Sequence, residues 1–415
     1  MRVSYKGYKM GRCDFPLNFT KKFGQLRLSV RILLLILILL IGLSAVCLAY
    51  LNAKLNRIGF ADNSTTDTDF GTGFSTLEEL NVLLLGTDER SEGGGLGDFD
   101  STLQDYSRAD ACMLLHLDFT EHRAQLVSLE RSIGVPVEGA PGGEDWLTHA
   151  FAYGGAEAML RAVSDLLDVE VKRYVRVNVG SAAELIDAIG GVDIELTEIE
   201  ASALNGEIRS NATTRSRVTP GLNHLDGFDA IAYARQRFID SDFERVQRQR
   251  NVLQAAIDQT KSLHLGQLDD LLDTALPLVQ TNFTRNEAMA LLYRAPGFLG
   301  VRLGQMTMPI EGMYGIKPTD DGRTMLMPDP EEAHRILIEF FAGDFDPETY
   351  TASDEVQSRV WQNQKQAYYE WSLAHPQIID SGETPVVDEE ETSEEESEEE
   401  AYQRELERRA NANSD

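Results

Sequence analysis

Residues 81–90 read NVLLLGTDER, a strand-length apolar run that stops on glycine and turns at once into charged and polar residues. The run is too short for a globular helix and has the uninterrupted apolar character of a strand buried on both faces. Working outward, similar runs occur at 111–117, 124–129, 174–179 and 192–196. Between them the period changes. Residues 156–167 carry Met159, Leu160, Val163, Leu166 and Leu167 at helical spacing, 181–189 form a second helix ended by Gly190 and Gly191, and 226–235 and 242–260 read as two more. Buried strands alternating with amphipathic helices predict an α/β domain with helices on both faces of its strands.

The wider chain has a clear order. Residues 32–51 form a run of twenty without a formal charge. At 1.5 Å per residue such a helix spans about 30 Å, the thickness of a bilayer's hydrocarbon core. Basic residues crowd the arm at 1–31 and few follow the run, so the N-terminus is expected in the cytoplasm and the rest of the chain outside. The apolar run exceeds that of a usual secretory signal, and Leu48, Ala49 and Tyr50 make a poor cleavage motif. A polar linker at 52–76 leads into a domain expected over 77–345. A short extension at 346–382, with Trp361, Tyr368, Tyr369 and Trp371, reads as a helix packing back on the domain. The glutamate-rich tail at 383–415 has the composition of disorder.

Charge and cysteine exclude some classes. The net charge is −30, against general nucleic-acid binding. Cys13, Cys47 and Cys112 fall before, within and beyond the apolar run, so no disulfide and no cysteine zinc site is expected. The histidines show no ligand spacing, and His116 reads as a core residue. No nucleophile triad or nucleotide fingerprint occurs. The N-x-Ser/Thr triplets at Asn18, Asn63, Asn211 and Asn282 are of a kind frequent by chance.

Four places could carry chemistry. Asp88 and Arg90 follow the first strand, where a carboxylate suits a hard cation and a guanidinium suits phosphate, although Gly-Thr-Asp is also ordinary turn chemistry. Arg108 and Asp110 precede the second strand, two apart and so on one side of an extended chain, a pattern equally open to a solvated strand entry. Arg131 follows the third strand, where a surface charge is the plain reading. The densest signal is Arg235, Arg237, Arg245, Arg248 and Arg250, five arginines within sixteen residues. Arg245, Arg248 and Gln249 share one face of their helix, opposite Phe243, Val246, Leu253 and Ile257. Asp242 and Glu244 are available as ion-pair partners but cannot neutralise all five, and guanidinium forks suit phosphate oxygens.

In order, the stretches NVLLLGTDER, SRADACMLLHLD, VSLERS, HAFAYGGAEAMLRAVSDLLDVEVKRYVRVNVGSAAELIDAIGGVDIEL, GLNHLDGFDAIAYARQR and SDFERVQRQRNVL resemble the LytR–CpsA–Psr family of cell-wall glycopolymer ligases over about residues 80–260. The resemblance implies a mixed sheet sandwiched by helices, with a hydrophobic tunnel for a polyprenyl chain and the pyrophosphate at its mouth. The implied reaction is a phosphotransferase step. A phosphate-linked glycopolymer such as teichoic acid or capsule passes from a polyprenyl-pyrophosphate carrier to a peptidoglycan hydroxyl. Asp88 and Asp110 match the family's positions for Mg²⁺ (or Mn²⁺), and Asp88, Arg108 and Asp110 are the catalytic candidates. Arg90, Arg108 and Arg131 are expected on the pyrophosphate, with Arg235, Arg237, Arg245 and Gln249 from the arginine-rich segments. The helices at 156–167 and 181–189 are candidates for the tunnel lining. One departure stands out: where the family usually reads Ile-Pro-Arg-Asp, this chain has Leu129, Glu130, Arg131 and Ser132. That puts the support of Arg131 in question and leaves two other readings open, a non-catalytic binder of lipid-linked pyrophosphate and an envelope regulatory or scaffold protein.

Overall fold

The computed structural model describes residue 50 and residues 53–60, 77–87, 109–211, 217–236, 239, 241–298, 300–320 and 322–375. Asp88, Arg90, Arg108 and Arg237 lie outside the described residues, as do 32–49 of the apolar run and the acidic tail. Among the described residues no helix is long and apolar enough to cross a membrane. The chain divides into a body of residues 1–56, described only as a helical turn at 53–55 and its surroundings, and a body of residues 57–415.

In the second body the strands are β1 (Gly59–Phe60), β2 (Glu79–Thr87), β3 (Ala111–Asp118), β4 (Arg123–Leu129), β5 (Gly134–Pro136), β6 (Glu144–Trp146), β7 (Arg173–Asn178), β8 (Val192–Leu196), β9 (Gly221–Leu225), β10 (Gln280–Thr281), β11 (Leu303–Met308), β12 (Tyr314–Pro318) and β13 (Thr324–Pro328). The helices are α1 (Ala150–Leu167), α2 (Val179–Ala188), α3 (Glu198–Asn211), α4 (Gly227–Ala234), α5 (Asp242–Lys261), α6 (Leu265–Ala275), α7 (Arg285–Arg294), α8 (Pro330–Ala342) and α9 (Asp354–Ala374). Seven strands form one mixed sheet in the order β1-β10-β7-β2-β3-β4-β11, and β5–β6, β8–β9 and β12–β13 are hairpins. The expected mixed α/β architecture is therefore present. The apolar runs became β2, β3, β4, β7 and β8, and the four expected helices became α1, α2, α4 and α5.

Alternation along the strands separates two faces. Leu83 and Leu85 of β2, with Cys112 and Leu114 of β3, pack in a cluster with Met159, Val163 and Leu167 of α1 and Ile336 and Leu337 of α8. On the other face Leu80, Val82 and Leu84 meet Phe119, Phe283 and α7 through Ala290 and Leu291. The helices α2, α4 and α5 share a further cluster with the β8–β9 hairpin, built on Ile186, Val192, Tyr233 and Val252. α4 approaches α2 so closely that a Cβ at Gly227 would stand 2.0 Å from the Ala183 carbonyl oxygen, so only glycine fits there. The Asn251 amide donates to the Tyr233 hydroxyl at 3.2 Å and ties α5 to α4.

His116 is a core residue, 2% exposed, its ring stacked on Phe341 at 3.9 Å with Nδ1 2.9 Å from the Asn81 amide oxygen. Burial lowers its pKa from 6.5 to about 4. The folded state thus holds it neutral where the unfolded chain protonates it. Stability is complete above pH 6.5 and falls as the pH drops toward 4, by about 3 kcal/mol at one pKa unit per 1.36 kcal/mol. Urea titrations of the full chain in detergent should show that loss, and His116→Gln should flatten it.

Arg173 on β7 and Glu287 on α7 are each 1% exposed and form a two-pronged pair at 3.1 and 2.6 Å. Glu287 also accepts the Thr284 N–H at 2.7 Å, closing the first turn of α7. Glu287→Ala strands a buried guanidinium and should cost about 3–5 kcal/mol in urea unfolding, whereas the apolar pair Arg173→Met with Glu287→Leu should cost far less.

Candidate active site at the carboxyl edge of the sheet

The strand register gathers the candidate residues. Gly86 pairs with Ala111 across β2 and β3, so the end of β2 at Thr87 lies next to the start of β3, which Asp110 precedes. Met113 pairs with Ser128, which brings the end of β4, and Arg131 after it, to the same edge. β7 and β11 are parallel to β2 and β4, with Asn178 beside Thr87 and Met308 beside Leu129. One edge of the sheet therefore collects four strand ends and one strand start. Ligands of open α/β sheets bind outside the carboxyl ends of strands.

The arginine-rich helix is pinned to that edge. Ser241 caps α5 by accepting the Glu244 N–H at 3.4 Å. Two turns later the Gln249 amide donates to the Asp110 carbonyl at 3.4 Å. Arg245, one turn before Gln249, is 2% exposed. The three residues thought to share a face divide, however. Arg248 turns inward, donating to the Gln236 carbonyl at 2.7 Å with Glu200 at 3.9 Å, and serves to anchor the helix. Arg235 ends α4 and is exposed. Arg250 points elsewhere, toward a cleft along β11.

Arg131 is not held by the proline and aspartate that this chain lacks. Its guanidinium lies 4.8 Å from the ring centre of Trp146. Arg323 lies 4.5 Å from the same ring and donates to Asp145 at 3.3 Å. The indole N–H of Trp146 donates to the Thr324 carbonyl at 2.7 Å, joining the β5–β6 hairpin to β12–β13. The loop is further braced where the Thr148 and Leu147 N–H groups reach the carbonyls of Arg131 and Ile133. Glu130 is fully buried, and the Ser132 hydroxyl donates to it at 3.5 Å. Thr148 also accepts the Ala109 N–H at 3.4 Å, so one segment contacts both the Arg131 and the Asp110 loops.

Sequence reading missed Arg176. It projects from β7 beside Thr87, to whose hydroxyl it donates at 3.3 Å, and stacks on Phe151 at 4.8 Å. Burial lowers its pKa to about 10, so it remains charged at neutral pH. The available signal was an arginine inside an otherwise apolar strand.

The helix expected at 156–167, a candidate for the tunnel lining, is the later part of α1. α1 packs on the face carrying Leu83 and Leu85, with Met159 and Val163 fully buried as ordinary core. α5 lies over the opposite face: Gln305 of β11 donates to Gln254 at 2.8 Å, while its neighbours Met306 and Met308 join the α1 side.

Guanidinium groups, a carboxylate and a side-chain amide thus lie at the carboxyl edge of a mixed sheet covered by helices in an α/β domain, a set of groups whose chemistry suits an anion. Residues 51–337 match the LytR_cpsA_psr family, and the chain belongs to that family. It is 32% identical over 215 residues to the polyisoprenyl-teichoic acid–peptidoglycan teichoic acid transferase TagT of Bacillus subtilis (strain 168), covering 52% of this chain and 63% of the relative. It is 32% identical over 216 residues to TagU of Bacillus mycoides (strain KBAB4), named for the same activity, covering 51% and 63%. The chain thus spans under two thirds of the length of these curated relatives. Among solved structures, TagT bound to LIIa-WTA shares the fold with a TM-score of 0.52 and 24% identity, over 69% of this chain and 98% of that one.

The Trp146 platform is testable. Trp146→Leu removes the π face under Arg131, and Trp146→Phe keeps a face while losing the bond to Thr324. Calorimetric titration of inorganic pyrophosphate should show about tenfold weaker binding for Trp146→Leu and a clearly smaller change for Trp146→Phe, in line with a stacking contribution of about 0.5–2 kcal/mol.

Proposed function

We propose that this protein transfers a phosphate-linked glycopolymer, of the teichoic acid or capsule kind, from a polyprenyl-pyrophosphate carrier to a peptidoglycan hydroxyl. The observation that carries the reading is the bond from Gln249 to the Asp110 carbonyl, which sets Arg245 and Gln249 of α5 against the edge where Asp110 and Arg131 sit. Family membership and the names of the teichoic acid transferase relatives support it.

The reaction is a phosphoryl transfer, so positioning and charge neutralisation do most of the work. Arg131 and Arg245 hold the pyrophosphate oxygens with Gln249, joined by Arg90, Arg108, Arg235 and Arg237 from the matching motif positions. Guanidinium forks disperse the charge that builds on the departing polyprenyl phosphate. Asp88, from the matching motif position, orients the acceptor hydroxyl and takes its proton as the oxygen attacks phosphorus. Asp88 and Asp110, at the motif positions that match the family's metal site, would hold Mg²⁺ (or Mn²⁺), since two carboxylates leave positions for water and phosphate oxygens. The ion, when bound, supplies neutralisation of phosphate charge.

The lipid chain has a natural place. Leu84, Leu115, Leu117 and Val175 sit on central strands yet are only partly buried. Facing them, α2, α4 and α5 pack in a hydrophobic cluster of their own. The polyprenyl tail would run between these sheet residues and the helices. We place 32–51 in the membrane as a single span with its N-terminus cytoplasmic, which holds the site at the outer leaflet where the lipid carrier is presented.

The test is incubation of the full chain in detergent with a polyprenyl-pyrophosphate-linked saccharide, Mg²⁺ and peptidoglycan fragments. Release of polyprenyl phosphate with a saccharide–peptidoglycan adduct is expected. Arg245→Ala should lower the rate about 100-fold or more, the scale of removing one charge-stabilising donor. Tight binding of the lipid by the wild type without turnover would mark a non-catalytic binder instead.

A further inference from the structure

β11 is an edge strand. It pairs only with β4, and among the described residues no strand covers its outer side. Proteins usually blunt such edges with proline, lysine or a covering element. The sequence LGQMTM contains none of these residues, and its outer side opens on a cleft of about 1340 Å³ that follows Leu303 to Thr307. One wall is α5, through Phe243, Gln247, Arg250 and Gln254. The other is formed by Tyr314 and the end of α8 with the loop after it. Phe243 and Tyr314 stack at 6.1 Å across the mouth.

Arg250 makes this cleft more than an uncovered edge. It lines the cleft yet is 8% exposed. Its guanidinium donates to the neutral Gln247 side chain, and its Nε has no hydrogen-bond partner. Among the described residues no carboxylate forms an ion pair with it, and Glu244 acts on it only from a distance. Leaving a buried cation without an acid is costly, and the cost falls when an anionic group arrives. The other charges differ in kind. Lys261 is already paired with Asp258 at 2.7 Å. Arg302, Glu311, Asp346 and Glu348 are exposed at the rim, where three acids outnumber one base.

We infer that the β11 cleft binds a short extended peptide bearing both carboxylates and an amine, added as a strand along the edge with a carboxylate on Arg250. The alternating N–H and C=O groups of a strand edge recognise a peptide backbone and have no match in a glycan. The buried guanidinium selects a carboxylate at one point. The acidic rim of Glu311, Asp346 and Glu348 selects an amine beyond it. This inference rests on the proposed acceptor: peptidoglycan carries peptides beside its sugar, so the cleft would hold the peptide part while the pyrophosphate site holds the donor. α5 links the two, since Gln249 and Arg250 are consecutive.

The experiment is fluorescence anisotropy on the full chain in detergent. The probe is a fluorescein-labelled pentapeptide with one glutamate, one lysine and a free carboxyl terminus. Binding is expected, with affinity about tenfold weaker when the carboxylates are amidated and in Arg250→Gln, and similarly weakened when alternate backbone amides are N-methylated. Arg250→Gln removes a buried cation without opening a cavity and should fold normally, its retention of polyprenyl pyrophosphate unchanged. Absence of binding by the wild type, equal binding by Arg250→Gln, or displacement by a peptide-free glycan strand would each overturn the inference. Peptide binding together with a wild type that transfers nothing would defeat the proposed reaction alone.

Discussion

Strand register is the constraint on which the site depends. Antiparallel β2–β3 and β3–β4, with β7 and β11 parallel to their neighbours, leave no freedom in which ends meet. A slip of one residue between β2 and β3 would turn one strand's side chains to the other face, pulling Leu83 or Leu114, both fully buried, out of the cluster they share with α1 and α8. The core thus enforces the register, and the register enforces the juxtaposition of Asp110 with the Arg131 loop. The chemistry at this edge inherits its precision from apolar packing further down the sheet.

Against this rigid edge the protein handles arginine in contrasting ways. Arg173 is matched by a carboxylate within the core and is purely structural. Arg248 is satisfied mainly by a backbone carbonyl and holds α5 to the neighbouring helices. Arg131 rests on the face of an aromatic ring, which restrains its plane. The Trp146 platform and the Thr148 N–H on the Arg131 carbonyl thus brace this loop where the chain has Glu130 and Ser132 in place of proline and aspartate.

Much of this fold could be read from periodicity, because β2, β3, β4 and β7 are apolar runs with abrupt ends, and α5 is amphipathic over five turns. β11 could not: LGQMTM mixes glycine, glutamine and threonine, because Gly304 must clear Gln125 and Gln305 must reach Gln254. The short hairpins are likewise set by long-range contacts such as Trp146 to Thr324. In the site, residue types were legible and directions were not. Helical spacing grouped Arg248 with Arg245 and Gln249, but the 3.6-residue period fixes only angular neighbours, and the presence of Glu200 and the Gln236 carbonyl decides which way a long side chain runs. The Arg131 platform was invisible for the same reason. Trp146 lies fifteen positions along the chain, and only the β5–β6 turn brings it back.

The division of α5 has a consequence for how donor and acceptor meet. Arg245 and Gln249 face the sheet edge, and Arg250 lies about 100° round the helix from Gln249, facing the β11 cleft. A single rigid helix, capped at Ser241 and packed on α4, fixes the angle between the two surfaces. Bringing a phosphorus atom and a hydroxyl into line requires such a fixed relation, because misplacement by about 1 Å can cost about 100-fold in rate. In the proposed transfer, a helix with one cationic side toward each surface would provide this without a moving part.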